Sequence, residues 1–172
     1  TNYRWRFCLL DMELGLLPNG WTDCYFDHIN HMLGQDPNNP YINVWLKGMQ
    51  NPRFRNYFIN RFADLMNTSY KIERISAIEQ SMFNQTVLEM PREYSRWGDP
   101  NNVAQQMTDF VNRHHEFQFQ LSERTGQVRN HIQADLGLNG QVEVTIDAFP
   151  AGAGTIKIST VTPDALPWTG VY

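Results

Sequence analysis

Two carboxylates, Asp11 and Glu13, follow directly on an apolar segment near the start of the chain. Residues 3–10 are mostly apolar and aromatic, which predicts a β-strand whose second half is buried. Such a strand would present both carboxylates at its end, where side chains can project into a cleft. Carboxylate oxygens suit Mg²⁺, often together with phosphate oxygens. On spacing alone we favour the alternative, an acidic pair bonded to loop amides, because short acidic motifs recur by chance.

Asp27, His28 and His31 form a second set of possible metal ligands. The two histidines are three residues apart and could share one face of a short helix with Asp27, but a fourth ligand is not evident. A solvated polar surface is the simpler interpretation. His114, beside His115, falls on the apolar stripe of a predicted helix, so we expect a core or boundary histidine with a local hydrogen bond rather than a ligand.

Three arginines of one predicted helix, Arg53, Arg55 and Arg61, could bind an anion. Surface ion pairing of these arginines with Asp64 or Glu73 is the interpretation we favour.

Two further features leave alternatives open. Cys8 and Cys24 are not in C-x-x-C spacing, so a redox or zinc motif is not expected, and whether the two thiols pair stays open. The sequons that begin at Asn67 and Asn84 fall within or at the edges of helices and matter only in a eukaryotic secretory setting.

The elements that would position these residues are mostly helical. Asn51 followed by Pro52 predicts an N-cap with proline at the first helical position, and the helix should end near Asn67. Ser69 is expected to cap the next helix and Pro91 to interrupt it. The other predicted helical segments are Tyr25–Leu33, Tyr41–Met49, Val103–Leu121 and, after a break at Gly126, Val128–Leu136, which Gly137 ends.

The last segment changes to the period of a β-strand. Apolar residues alternate from Val142 to Ala148 and again at Ile156 and Ile158, with a turn between them, which predicts a β-hairpin. The expected fold class is therefore α+β and mainly helical, beginning with a strand and followed by a small C-terminal β-hairpin or sheet. The boundary between the two parts is placed after residue 138, giving segments 1–138 and 139–172.

Composition excludes several classes of partner. The chain has 172 residues and a net charge of −4, so one domain is expected and broad attraction to nucleic acid is not. Apolar runs are too short for a membrane span, which needs about 20 residues. Because the chain begins with Thr1 and ends in an apolar aromatic stretch, we expect it to be part of a longer protein.

Several stretches resemble one family. Residues 5–16, WRFCLLDMELGL, resemble the pattern W-x-F-x-x-Y-D-x-D-x-x-F of CotH (spore coat protein H-like) kinases, and residues 51–68 resemble that family's NPxFRxxFINRFADLLNT helix. Residues 89–92 and 96–98 resemble its EMPRH and RWG stretch. Residues 154–158 and 168–172 resemble the strand segment that follows the kinase core, so the resemblance covers nearly the whole chain.

The resemblance implies the C-terminal lobe of an atypical protein kinase module that uses ATP and Mg²⁺ or Mn²⁺. It implies that Asp11 binds metal at the nucleotide phosphates, with Glu13 as a second ligand, and that Trp5 lies in the nucleotide site. The phosphate-binding Lys and catalytic Asp of the family precede this motif, and nothing in the chain matches them. No catalytic residue is therefore assigned here, and the chain alone is expected to be inactive.

Departures from the family pattern keep a second interpretation open. Leu10 replaces a Tyr, Glu13 replaces an Asp and Leu16 replaces an aromatic residue. A longer carboxylate at position 13 would alter metal geometry, which favours a non-catalytic coat or surface module. The expected partners are a protein substrate or a coat or surface protein, and the resemblance implies an extracellular or cell-surface location.

Overall fold

A computed structural model describes residues 23–172 of the chain. Helices dominate this part, which confirms the expected mainly helical fold with a small sheet. The predicted strand over residues 3–10 lies outside the described residues. The elements are, in chain order, α1 His28–Leu33, α2 Pro40–Gln50, α3 Pro52–Asn67, α4 Ile72–Thr86, α5 Met90–Trp97, α6 Val103–Asp135, β1 Glu143–Ile146 and β2 Trp168–Val171.

Asparagine followed by proline starts two consecutive helices. The Oδ1 atom of Asn51 accepts the backbone N–H groups of Arg53 at 2.9 Å and Phe54 at 3.3 Å, so the predicted start of α3 is confirmed. Asn39 caps α2 in the same way by accepting the N–H of Tyr41. In both helices the proline occupies the first turn, where its missing N–H has no helical partner to lose.

Three predicted helix boundaries are wrong. Ser69 does not cap α4, because it lies in the turn that closes α3 through a bond from the N–H of Tyr70 to the carbonyl of Leu65. Pro91 lies in the first turn of α5 instead of interrupting a helix. Helix α6 runs through Gly126, since one glycine costs only about 1 kcal/mol in a helix that packing holds on both sides.

Helix α6 ends where the sequence predicted, just before Gly137. Gly137 adopts a φ of 58°, a left-handed conformation that favours glycine. The N–H of Leu138 reaches back to the carbonyl of Gln133 at 2.9 Å, and the N–H of Gly137 to that of Ala134 at 3.2 Å. This pattern closes the helix and turns the chain toward β1.

The sheet has two strands, but the predicted hairpin is wrong. Strand β1 pairs antiparallel with β2, with Glu143 opposite Val171 and Ile146 opposite Trp168. Ile158 instead forms an isolated bridge with Val161. Alternation identifies a strand but not its partner, and the choice of β2 depends on contacts that residues 168–172 make with α3 and α6.

The core lies where α1, α2, α3 and α6 meet. Its buried residues are Met49, Met66, Ile132 and Leu136, with Trp45, Phe58 and Phe62 among the side chains packed around them. Helices α4 and α5 pack along the first half of α6, where Phe83 stacks on Phe110. Within residues 23–172, no helix is both long enough and apolar enough to cross a membrane.

A buried carboxylate joins α3 to the C-terminal segment. Asp64 has no exposed surface, and its Oδ2 atom accepts the Ser159 hydroxyl at 2.8 Å and the Thr160 N–H at 2.9 Å and hydroxyl at 2.5 Å. Its Oδ1 atom accepts the Tyr172 hydroxyl at 2.8 Å. We call these contacts, together with those of Asn67 described next, the C-terminal clasp.

Asn67, three residues after Asp64 on the same face of α3, binds the end of β2. Its side chain donates to the carbonyl of Val171 at 2.9 Å and accepts that residue's N–H at 3.0 Å. The Asn67 amide therefore makes the two backbone hydrogen bonds that a neighbouring strand would otherwise make with Val171. Arg129 of α6 donates to the same carbonyl at 2.8 Å and to Asn67 Oδ1 at 2.7 Å. The clasp therefore connects α3, α6 and β2.

Ionisation in the clasp follows from these bonds. Burial opposes charge on Asp64, but hydrogen bonds from Thr160, Ser159 and Tyr172 outweigh it and lower the pKa of the Asp64 carboxyl. Burial, together with the hydrogen bond to Asp64, raises the pKa of Tyr172 to about 12. The clasp thus contains a charged carboxylate and a neutral phenol over the ordinary pH range.

Replacing Asp64 by alanine should leave the clasp donors without their acceptor and destabilise the protein. We expect the free energy of unfolding to fall by about 2–4 kcal/mol, the usual cost of removing a charged acceptor from buried donors. Urea denaturation of Asp64→Ala measures this loss. Asp147→Ala, which removes an exposed carboxylate, is the control and should change stability little.

The stabilisation that Tyr172 contributes to the clasp should be lost in alkali, where its phenol ionises. A pKa raised from 10 to about 12 means that the folded state retains a proton that the unfolded state loses. The stabilisation by Tyr172 should therefore be complete below pH 10 and decline as the pH rises toward 12. Denaturation at a series of alkaline pH values should show the stability advantage over Tyr172→Phe shrinking, whereas Tyr57→Phe, at a 60% exposed position, should show no such trend.

Candidate functional site

The sequence-predicted ligands Trp5, Asp11 and Glu13 lie outside the described residues, so their roles stay predictions. The described chain starts at Asp23, twelve residues after Asp11. The described residues show how the chain from Asp23 onward is attached to the helical body.

Arg124 of α6 holds the backbone just before α1. Its Nη1 atom donates to the carbonyl oxygens of Asp23 at 3.3 Å, Cys24 at 3.1 Å and Phe26 at 3.1 Å. Burial lowers the pKa of the Arg124 guanidinium, and the nearby Cys24, Asp23 and Asp27 oppose this shift. Three carbonyls that converge on one cation fix the path of the chain, because leaving them unpaired would cost free energy.

Gln120, one helical turn before Arg124, completes this attachment. Its buried side chain accepts the N–H of Cys24 at 2.5 Å. The Cys24 thiol is free and fully buried, and burial followed by the neighbouring charge of Asp23 raises the pKa of Cys24. A thiol with a raised pKa is a poor nucleophile, so Cys24 has a packing role. We call Gln120, Arg124 and the backbone of residues 23–26 the N-terminal anchor.

A group of titratable side chains lies beside the anchor. Asp27 caps α1 by accepting the N–H of Asn30 at 2.9 Å, and the Nδ1 atom of His131 lies 3.8 Å from the same Asp27 oxygen. Asp135, one turn further along α6, has a buried Oδ2 atom without a hydrogen-bond partner. Burial and the adjacent Asp27 carboxylate raise the pKa of Asp135.

This arrangement does not support the metal alternative for Asp27, His28 and His31. Across residues 23–172 no three His, Cys, Asp or Glu side chains are grouped so that they could hold a metal ion. Asp27 is used as a helix cap, and the ring of His28 lies edge-on to Phe26 at 4.6 Å between centroids. Burial, with the charges of Arg124 and His31, lowers the pKa of His28, so its neutral form is favoured.

His114 is buried, as predicted, but its hydrogen bond is not local. Its Nδ1 atom lies 2.8 Å from Oε1 of Glu79 on α4, and its ring stacks on Phe83 with centroids 3.7 Å apart. The other oxygen of Glu79 accepts from Gln118. The position on the apolar stripe therefore correctly indicated packing, and the partner came from another helix.

The arginines of α3 do not pair with Asp64, which the clasp occupies. Arg55 donates instead to the carbonyl of Leu136, and Arg61 donates to the Thr160 hydroxyl at 2.7 Å. Two of these arginines thus connect α3 to the segments that follow α6, a role that the favoured surface ion pairs did not anticipate. Their helical spacing gave no sign of these distant partners.

The two sequons differ in the structure. Asn67 is engaged through both polar atoms of its side chain in the clasp. Asn84 lies exposed on α4, where it accepts a hydrogen bond from Gln80.

Sequence reasoning did not identify Gln120, Arg124, Asn67 or Arg129 as positioning residues. Gln120 and Arg124 are four residues apart and border the apolar stripe of α6, which is a weak signal for a shared helix face. A polar pair of this kind is common on exposed helices, so nothing in the spacing indicated which backbone it would bind.

Comparison with known proteins assigns the class. The CotH kinase protein family model matches residues 1–118, which is more than half of the chain and includes the segment with Trp5, Asp11 and Glu13. The chain therefore belongs to the CotH kinase family. No curated protein and no solved structure matches it. Gln120 and Arg124 lie just beyond the matched part, although the backbone that they hold lies inside it.

Loss of the Arg124 guanidinium should loosen the N-terminal anchor locally. In Arg124→Met, three carbonyl groups lose a charged donor while the apolar stem is largely kept, a change worth about 1–3 kcal/mol. Hydrogen exchange followed by mass spectrometry should show faster exchange in residues 23–34 and little change in α3. Arg113→Met, on an exposed position of the same helix, should leave exchange in residues 23–34 unchanged.

Proposed function

We propose that this chain forms the C-terminal lobe of a CotH-type atypical protein kinase module, in which Asp11 binds the metal ion at the phosphates of ATP. Glu13 would be a second metal ligand, and Trp5 would contact the nucleotide. The observation that carries the proposal is the occurrence of Trp5, Asp11 and Glu13 within the part of the chain that matches the family.

The donor set suits the implied cofactor. Mg²⁺ and Mn²⁺ prefer carboxylate oxygens and commonly share them with phosphate groups, and both predicted protein ligands are carboxylates. When bound, the metal neutralises phosphate charge, which is the main requirement of phosphoryl transfer. The part of this chain in such a site is to supply and orient carboxylates, with the lysine and catalytic aspartate coming from other residues of the module.

The N-terminal anchor, which lies within the described residues, also supports the proposal. A metal ligand requires a fixed backbone, because a small misplacement of charge lowers its effect on a reacting group. Arg124 and Gln120 fix the chain at residues 23–26, which begin twelve positions after Asp11 in the sequence. The long helix α6 is a rigid support for this attachment.

A second candidate function is a non-catalytic coat or surface module at an extracellular or cell-surface location. It is favoured by Glu13 in place of Asp and by exposed apolar side chains on α2. Tyr41 is 73% exposed and Val44, three residues later on the same helix, 71%. Exposed aromatic and aliphatic side chains that adjoin one another are typical of surfaces that bind other proteins.

Nucleotide binding distinguishes the two functions. The measurement is titration calorimetry of ATP in the presence of Mn²⁺, on a polypeptide that contains this chain together with the upstream residues of the module. We expect saturable, Mn²⁺-dependent binding that Asp11→Ala weakens at least about tenfold, since one metal carboxylate is lost. The 172-residue chain alone should incorporate no phosphate from ATP.

The control for this experiment is Asp147→Ala, which removes a carboxylate from an exposed loop and should leave ATP binding unchanged. Folding of both variants is checked by circular dichroism. Equal affinity of the Asp11→Ala variant and the parent would refute the assignment of Asp11. Absence of ATP binding in the parent would instead favour the coat or surface function.

A further inference from the structure

Two carboxyl groups meet at the start of α1. Asp27 accepts the N–H of Asn30 through Oδ1 at 2.9 Å, and the same Asp27 oxygen lies 3.8 Å from Nδ1 of His131 on α6. Asp135 lies one helical turn beyond His131, and its carboxyl group interacts with that of Asp27. The Oδ2 atom of Asp135 is buried and accepts no hydrogen bond.

Two ionised carboxylates are unstable in this arrangement. A buried anionic oxygen without a donor carries a desolvation cost, and a second anion beside it adds repulsion. A single proton removes both problems, because a protonated carboxyl can donate to the carboxylate next to it. Known carboxylate pairs that share one proton follow the same logic.

We propose that Asp27 and Asp135 share one proton and so form a pH-sensitive latch that fastens the segment before α1 to the C-terminal half of α6. The latch consists of these two carboxyl groups and acts beside the N-terminal anchor. Its proton closes the contact in acid, and its loss introduces repulsion between the first residues of α1 and α6. The proposal is independent of nucleotide binding.

Charged neighbours set the conditions under which the latch works. On α1, His28 lies near Asp27 and His31 lies near His28, and on α6 Arg124 and His131 lie near Asp27. From α3, Arg55 donates to the carbonyl of Leu136, adjacent to Asp135. The Nδ1 atom of His131 lies 3.8 Å from Oδ1 of Asp27, within ion-pair distance.

The direction of the pH dependence follows from the Asp135 carboxyl. Its pKa is raised above the value of 3.8 by burial and by Asp27, so the folded state binds a proton more tightly than the unfolded chain does. The stabilisation is complete below the unfolded pKa and is lost as the pH rises through the folded pKa. His28, with a lowered pKa, acts in the opposite direction because its protonation in acid opposes folding.

The buried thiol of Cys24 reports on opening of the latch, since it lies three residues before Asp27 and has no exposed surface. In a Cys8→Ser background Cys24 is the sole thiol, and its rate of reaction with a dipyridyl disulfide is measured from about pH 4 to about pH 8. Rates are compared between the parent and Asp135→Asn, in which the amide is a donor at every pH. The thiolate fraction and the effect of His28 are common to both proteins and cancel in the ratio of rates.

We expect the ratio of parent to Asp135→Asn rates to be near one in acid and to rise roughly three- to tenfold by neutral pH, because repulsion between the two carboxylates then favours opening. Asp27→Asn should give the same profile as Asp135→Asn, because either amide removes the repulsion. Asp109→Asn, on an exposed position of α6, should follow the parent. A ratio that stays constant with pH, or that rises toward acid, would overturn the proposal. If Asp135→Asn does not fold, Asp27→Asn supplies the same comparison.

Discussion

The described structure depends on a carboxylate that is buried in the second half of α3. Asp64 has no exposed surface, so its charge must be balanced within the protein, and its partners are two hydroxyl groups and an amide from residues 159–160 and the phenol of Tyr172. Burying a charge without partners would cost several kcal/mol. The C-terminal segment is therefore required by α3, and residues 139–172 are tied to the helical body through this charge and Asn67.

Helix α6 is the other organising element. Its 33 residues extend for about 50 Å, and α1, α3, α4 and α5 all pack against it. Different parts of its length hold different segments: His114 binds α4, Arg124 binds the chain before α1, and Arg129 binds the end of β2. Helix α6 thus contacts both residues 23–26 and the C-terminal clasp, although these two parts of the chain are far apart in sequence.

Sequence patterns predicted helices more reliably than contacts between them. The Asn51-Pro52 start of α3 and the end of α6 at Gly137 were predictable because caps depend on neighbouring residues. The break at Gly126 and the cap at Ser69 were wrong because local preferences of about 1 kcal/mol are weaker than packing along a whole helix. For the predicted site, the family motif indicated Trp5, Asp11 and Glu13. The sequence did not indicate that Gln120 and Arg124 would bind the backbone of residues 23–26 in the N-terminal anchor.

The sequence by itself determined the mainly helical class, most helix positions, the buried environment of His114 and membership of the CotH kinase family, since all of these depend on residue type and short-range spacing. Only the tertiary structure decided that β1 pairs with β2, that Asp64 binds hydroxyl groups instead of arginines, and that Arg124 binds three carbonyl groups. Each of these contacts joins residues separated by more than 20 positions. A carboxylate or guanidinium can accept many partners of similar energy, and the packed helices select one by bringing it within reach.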